Sequence, residues 1–303
     1  MKIMFKNKII ILILLVFTSG CAFTPKANYE VVGKKSVQIQ YDDAVFKEKI
    51  KQNQELIYKQ NKIKRLEPGP DDLLEVGEQI TMSIRWWGVE AGKTIITVKD
   101  LVEFNGRKAY HLEALAQTSS VVDLVFKVRD VHESFIDAED LYTLLYVRNA
   151  SEGRHRYYEF YNFDYKNKKT KFKEIIRNQE KEYGLPEKMT DIISVGYWFR
   201  YKDLKVGDSH RAIVHSDQKN YEITFHVRER NEFKDETKPS VFVIEPEVRK
   251  GDKIYTKGKG KVLISDNLDR LPLLAQMKVV FAGSLNILLE SKRNIYNSKG
   301  ISK

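Results

Sequence analysis

The side chain with the most sharply defined chemistry in this sequence is a thiol. Cys21 is the only cysteine in the chain. Ahead of it come Lys2, Lys6 and Lys8, an apolar run from Ile9 to Phe17, and then Thr18-Ser19-Gly20. A basic start, a short apolar run and small residues before a cut describe a secretory leader. A thiol directly after that cut is the group a bacterial lipoprotein precursor offers for acylation. The sulfur is diacylated, the leader is removed, and the new amine is acylated in turn. Residues 1–20 are therefore read as a lipoprotein signal peptide and Cys21 as the lipid attachment site. The run Ile9–Phe17 is too short for a span, which takes roughly 20 apolar residues.

The junction is similar to a lipobox, with Ser19 and Gly20 in place and Thr18 where Leu is usual. One acyl chain binds a membrane only marginally, whereas two or three anchor it. Ala22 rather than Asp follows the cysteine, which under enterobacterial sorting favours the outer membrane. The expected location is thus the periplasmic face of the outer membrane, held by the N-terminal lipid. With its one thiol acylated, the mature chain has no disulfide and depends on its core.

No other residue pattern spells out a reaction. The six histidines (His111, His132, His155, His210, His215 and His226) show no second His or acid at zinc-protease spacing. No metal and no cofactor is expected. His132-Glu133-Ser134 has the types of a base, an acid and a nucleophile, but neighbours on a strand point to opposite faces. Ala282-Gly283-Ser284 lacks the second glycine of a nucleophile elbow. Lys257-Gly258-Lys259-Gly260 lacks the spacing of a phosphate loop and suits a hairpin end. Asp42-Asp43 and Asp71-Asp72 sit in turn or capping contexts. No catalytic residue is assigned, and an enzyme is not expected.

Aromatic residues cluster mid-chain as Trp86-Trp87, Tyr157-Tyr158, Phe160-Tyr161, Phe163, Tyr165 and Tyr197-Trp198-Phe199. They serve either as core with tyrosine at the rim or as a concave surface for an acyl chain or glycan. Trp86, Trp87, Tyr158 and Tyr197 are the candidate ligand-cleft aromatics. The chain has 52 Lys and Arg against 42 Asp and Glu. Runs such as Lys47-Glu48-Lys49 and Arg228-Glu229-Arg230 alternate in sign, as solvated faces do. No basic stripe accompanies a recognisable nucleic-acid module, so no nucleic-acid partner is expected.

The elements that must position these residues are mostly strands. Residues 21–70 read as a tether and an amphipathic helix over 42–66, ended by Glu67-Pro68-Gly69-Pro70. This helix either docks on the domain or binds a partner. Gln79–Trp86 alternates polar and apolar, the period of a half-buried strand. Phe104-Asn105-Gly106-Arg107 predicts a type I′ hairpin turn, because Asn-Gly accepts positive φ. Further strands are predicted over 94–98, 108–116, 124–136, 141–148, 154–164, 170–176, 209–214, 221–227, 240–248, 255–264, 273–280 and 284–289. Residues 189–201 predict the internal helix, with Thr190 or Asp191 at its start. Many short strands without alternating helices imply a mainly β fold over 71–292. The expected form is a twisted antiparallel sheet making an open barrel or sandwich, with one internal helix and the N-terminal helix and tether. Residues 293–303 read as a polar tail.

The order of motifs resembles the domain-of-unknown-function family 3108. Val76-Gly77-Glu78-Gln79-Ile80 leads into Ser83-Ile84-Arg85-Trp86-Trp87-Gly88-Val89-Glu90-Ala91-Gly92, like the family's opening block. Phe126-Lys127-Val128-Arg129-Asp130 and Glu133-Ser134-Phe135-Ile136-Asp137 are similar to the next. Asp191-Ile192-Ile193-Ser194 with Trp198-Phe199-Arg200 resembles its helix, and Leu204-Lys205-Val206-Gly207-Asp208 the turn after it. Gly260-Lys261-Val262-Leu263-Ile264-Ser265-Asp266 with Leu271-Pro272 resembles the closing block, with Leu263 in place of the usual Trp. The resemblance implies a mostly β envelope protein and transfers no catalytic residue. Its Gly, Ser-Asp and Arg-Asp positions suit turns and sheet-edge hydrogen bonds.

The expected function is a membrane-anchored, periplasm-facing lipoprotein. Its noncatalytic module would bind an envelope component such as a lipid, a lipopolysaccharide or a glycan. The alternative is a structural or scaffolding partner in an envelope protein complex.

Overall fold

Asn105 and Gly106 take φ of 50° and 81°, the left-handed pair that a type I′ turn requires. The hairpin they close sets Phe104 opposite Arg107 and Asp100 opposite His111. In the computed structural model, residues 43–232, 240–254, 260–279 and 283–296 are described. The leader, Cys21 and the tether lie outside the described residues, as does Lys257-Gly258-Lys259.

The chain begins with helix α1 (Asp43–Gln60) and the short strand β1 (Lys64–Leu66). Then come β2 (Glu78–Trp86), β3 (Val89–Phe104), β4 (Arg107–Thr118), the single turn α2 (Ser120–Asp123), β5 (Val128–Asp137) and β6 (Thr143–Glu152). β7 (His155–Asp164), β8 (Lys169–Glu174), β9 (Gln179–Gly184), β10 (Thr190–Asp191) and α3 (Ser194–Arg200) follow. The last strands are β11 (Ser209–Ser216), β12 (Lys219–Asn231), β13 (Val241–Lys250), β14 (Lys253–Ile254), β15 (Lys261–Ser265), β16 (Pro272–Val279) and β17 (Gly283–Asn294).

All of these strands belong to one sheet. From one end it runs β10, β11, β12, β13, β15, β16, β17, then β2 through β9. Every pairing is antiparallel except β10 with β11. The ladder does not close. Instead β9 reaches the β11–β12 turn through side chains, with Lys181 Nζ and Tyr183 Oη both donating to Gln218 Oε1 at 3.2 and 3.0 Å. The mainly β, open-barrel expectation holds. Among the described residues no helix is long and apolar enough to cross a membrane.

Alternation along the strands splits the core. On β5, Val128, Asp130, His132 and Ser134 are buried in turn with half-buried neighbours, so one side lines the interior. There Tyr110, Leu112, Ile136, Tyr146, Tyr161, Phe172 and Met189 form the largest cluster, which α3 enters with Val195 and Tyr197. On the outer side of β3–β7, Phe104, Phe135, Leu145, Tyr158 and Phe160 form a second cluster, covered by Ile57 and Tyr58 of α1. The N-terminal helix therefore docks on its own sheet.

Several boundaries differ from the sequence expectation, and four of them have a local reason. α1 stops at Gln60 because Lys62 takes φ 48° while Lys62 N and Ile63 N bond Lys59 and Tyr58 carbonyls, a Schellman ending. The internal helix starts at Ser194 because Thr190–Asp191 pair with β11 and Asp191 Oδ1 accepts from Ile193 N and Ser194 N. The strand expected from Leu124 begins at Val128, behind α2. β17 runs to Asn294, and Ile295 N donates to Gly77 O at 3.0 Å, so the start of the expected polar tail is tied to the sheet. β9 was not expected, since Gln179-Glu180-Lys181-Glu182 has no apolar period; charge on an edge strand guards against further pairing.

Candidate functional site

Two of the blocks that resemble the family pattern, Val76–Ile80 and Trp198–Arg200, lie far apart in sequence but meet at a cavity of about 390 Å³. Its walls come from the Pro68–Val76 strap, the start of β2, the end of α3, the 268–269 loop and the end of β17. The strap is held by Gly69 N donating to Asp72 Oδ2 at 2.7 Å and Leu74 N to Tyr110 Oη at 3.1 Å. Gly77 turns the chain into β2 with φ of 94°; a Cβ there would meet Asn294 Oδ1 at 2.5 Å. That close approach, added to the left-handed backbone, excludes any other residue.

The floor is a buried ion pair. Arg200 Nη1 and Nη2 donate to Glu78 Oε1 and Oε2 at 2.7 and 3.0 Å. Both side chains are only 6% exposed. Arg200 also donates through Nε and Nη2 to Asp269 O at 3.1 and 2.9 Å, fixing the loop. Its guanidinium lies 5.1 Å from the centre of the Tyr197 ring. Lys292 Nζ sits 2.7 Å from Asp269 Oδ1 and 3.6 Å from Glu78 Oε2. Burial pushes the Lys292 ammonium down, but the two carboxylates more than offset it and hold its pKa above the usual range. Asp72, paired with Lys108, stays below its usual range because that pair and the Gly69 amide outweigh burial. Asn294 Nδ2 donates to Glu75 Oε1 at 2.5 Å. Half-exposed Tyr201, exposed Leu73 and exposed Leu268 line the same cavity.

The result is a polar pocket with a charge-neutralised floor, carboxylate and ammonium walls, and apolar residues beside them. Such a lining hydrogen-bonds hydroxyls from several directions. Its interior groups are already committed to each other, which suits recognition of a preformed shape.

A second polar cluster lies under α1. His111 Nε2 is 2.8 Å from Glu133 Oε2, its Nδ1 is 3.9 Å from Asp100 Oδ2, and its ring stacks on Phe135 at 4.3 Å. Tyr58 Oη and Gln54 Nε2 of α1 donate to the two Glu133 oxygens at 3.3 and 3.2 Å. Burial would lower the His111 pKa, but Asp100 and Glu133 reverse the sign and raise it. This group clamps the helix to the sheet. Sequence reading missed it because its members sit on four elements.

His132-Glu133-Ser134 separates as the strand period requires. His132 Nδ1 meets Tyr146 Oη at 2.7 Å inside the barrel, while Glu133 faces α1. Ser134 Oγ donates to Asp191 Oδ2, which also accepts from Thr143 Oγ1 at 2.7 Å. Among the described residues no group of three or more His, Cys, Asp or Glu is placed to hold a metal.

The four candidate cleft aromatics are not brought together. Tyr158 is buried in the cluster under α1, and Tyr197 is buried where α3 enters the interior. Trp86 packs with the β2–β17 cluster, and Trp87 is exposed at the β2–β3 turn. An outward member of each aromatic pair was expected from strand alternation, but the sheet curls and α1 covers the outer face at Tyr158. Tyr197 contributes only from beneath, through its ring against Arg200. The residues that do form the cavity floor, Glu78 and Arg200, carried a sequence signal as family-pattern positions read as structural.

A family model described as "Protein of unknown function (DUF3108)" matches residues 79–290. No curated protein matches the chain. Among solved structures, the chain is similar to a β-barrel-like protein of the domain of unknown function DUF1849 from Brucella abortus. The identity is 9%, with a TM-score of 0.48, over 72% of this chain and 97% of that one.

Proposed function

Since the chain belongs to the DUF3108 family, whose description assigns no activity, we propose a function from its own residues. It is a lipoprotein anchored through Cys21 on the periplasmic face of the outer membrane. Its β domain binds the sugar portion of an envelope component, a glycan or the headgroup of a lipid or lipopolysaccharide, without catalysing a reaction on it. The observation that carries this reading is the cavity of about 390 Å³ built where two separate family-pattern blocks, through Val76 with Glu78 and through Arg200, meet the 68–75 strap, the 268–269 loop and the end of β17. Glu75, Asp269 and Asn294 provide acceptors and donors for hydroxyls, Lys292 tolerates an acidic group, and the Tyr201 ring offers a stacking face. The floor pair keeps these groups in place before any ligand arrives, which lowers the ordering cost of binding.

Native mass spectrometry on the gently extracted chain tests it. A copurifying sugar-bearing molecule is expected, with occupancy reduced about tenfold in the Tyr201→Ala, Lys292→Gln double variant, the loss of roughly one good contact. A bare chain, or an adduct indifferent to both substitutions, would remove the cavity from consideration.

The anchor has its own test. Cys21→Ser is expected to leave unprocessed precursor or to release the domain from the membrane fraction. Unchanged processing together with unchanged membrane attachment would overturn the lipid assignment.

A further inference from the structure

Five strongly exposed apolar side chains gather at one end of the barrel. Trp87 is 69% exposed, Val89 62%, Val121 65%, Leu124 88% and Val125 68%. Trp87 belongs to the β2–β3 turn, and the other loop residues belong to α2 and the segment after it. These pieces are contiguous. The Trp86 and Trp87 rings lie 5.7 Å apart, Trp86 and Val122 pack against one cluster, and Ser119 N donates to Ala91 O at 2.9 Å. The segment continues to Phe126, whose ring packs on Gly153 of the β6–β7 turn, and Gly153 N donates to Lys127 O at 2.8 Å.

Cations rim this apolar tip. Arg85, Lys127 and Arg154 are exposed, and Arg156 points its guanidinium at the Gly153 and His155 carbonyls. Among the described residues none of the four is in an ion pair. Of the acids at the same end, Asp123 is matched by Arg129 and Glu152 by Arg148, while Glu90 shares Lys93 with Glu290. The free charge around the tip is therefore positive.

The chain enters the domain from this end. Gln54 of α1 meets Glu133, Tyr58 meets Phe135, and Asn61 O accepts from Asn105 N in the turn at the far end. α1 thus runs in the direction of β5, and its first residue lies towards the end where β5 starts.

We propose that the apolar tip formed by Trp87, Val89, Val121, Leu124 and Val125 docks into the headgroup region of an anionic lipid bilayer. Tryptophan and aliphatic side chains at loop ends partition into that region. Four unneutralised cations around them match anionic headgroups. An apolar cluster of this kind left in water marks an interaction surface. The geometry of α1 makes docking compatible with a tether that leaves from the same end. The docking does not depend on the cavity or on Cys21, and it orients the domain with the Asn105–Gly106 turn away from the lipid.

The test uses the full chain reconstituted into vesicles, with fluorescence of the Trp87→Phe variant subtracted to isolate Trp87. In phosphatidylcholine vesicles containing a minority of phosphatidylglycerol, lipids brominated on the acyl chain are expected to quench Trp87 strongly, and aqueous iodide to quench it weakly. The Leu124→Ser, Val125→Ser variant is expected to reverse that order. Added salt, or vesicles of phosphatidylcholine alone, is expected to weaken the lipid quench. Iodide quenching Trp87 freely in anionic vesicles would overturn the proposal. So would protection from both quenchers together with a dimeric mass, which would assign the tip to a second copy of the chain. Failure to find acyl groups on Cys21 would leave the quenching result standing and would strike only the anchor.

Discussion

Arg200→Met is expected to destabilise the fold by about 3–5 kcal/mol in chemical denaturation, the usual cost of leaving one member of a buried ion pair unpaired. Glu78 would keep a carboxylate that is 6% exposed, with Lys292 at 3.6 Å as its nearest remaining cation. The Asp269 carbonyl would lose both of its guanidinium donors at once. Replacing both partners, Glu78→Leu with Arg200→Met, is expected to recover most of that loss, because two apolar groups of similar volume carry no desolvation penalty. The double variant would still lack the polar floor of the cavity. It therefore separates the two roles of the pair: stability returns, while the sugar-bearing adduct does not. A single-variant loss below about 1 kcal/mol would show that water reaches the pair and that it contributes as a surface bridge does.

The second large effect is a dependence on pH. His132 is buried inside the barrel against Tyr146, and burial followed by the nearby Arg148 charge lowers its pKa to about 3. A base whose folded pKa is depressed contributes stability above its unfolded pKa and loses it as pH falls towards the folded one. The window here runs from about 6.5 down to about 3. Between pH 7 and pH 5 the stability gap between the native chain and His132→Gln is expected to narrow by about 2 kcal/mol. Asp130, raised to about 7 by burial and by Glu152, acts in the opposite sense over the same range. Because Asp130 is present in both chains, the difference isolates His132. A gap that stays constant from pH 7 to pH 5 would mean that His132 is hydrated or already charged in the folded state.

These two sites show how unevenly the sequence reveals the molecule. The Asn105–Gly106 turn was legible because a single dipeptide dictates its backbone, and with it the register that places Asp100 opposite His111. Glu133 could not be joined to them, since that needs the β4–β5 register, which follows from no short turn. Glu78 and Arg200 are separated by 122 residues. Each was visible as a member of a motif, yet nothing local connects them. The cleft aromatics failed for a related reason. Strand alternation correctly divides inward from outward residues, but it does not say whether the outward face is wet. At Tyr158 it is covered by α1, and at Tyr197 the side chain belongs to a helix turned into the interior.

By itself the sequence determined what depends on neighbours along the chain: the hairpin turn and the strand periods. The tertiary structure alone decided which motif blocks share a cavity, which aromatic rings are buried, and which apolar loop ends remain in water. Those outcomes depend on how a curled sheet of many strands brings distant registers together. Contacts of that range are set by the packing of the whole sheet, and no local segment of the chain specifies them.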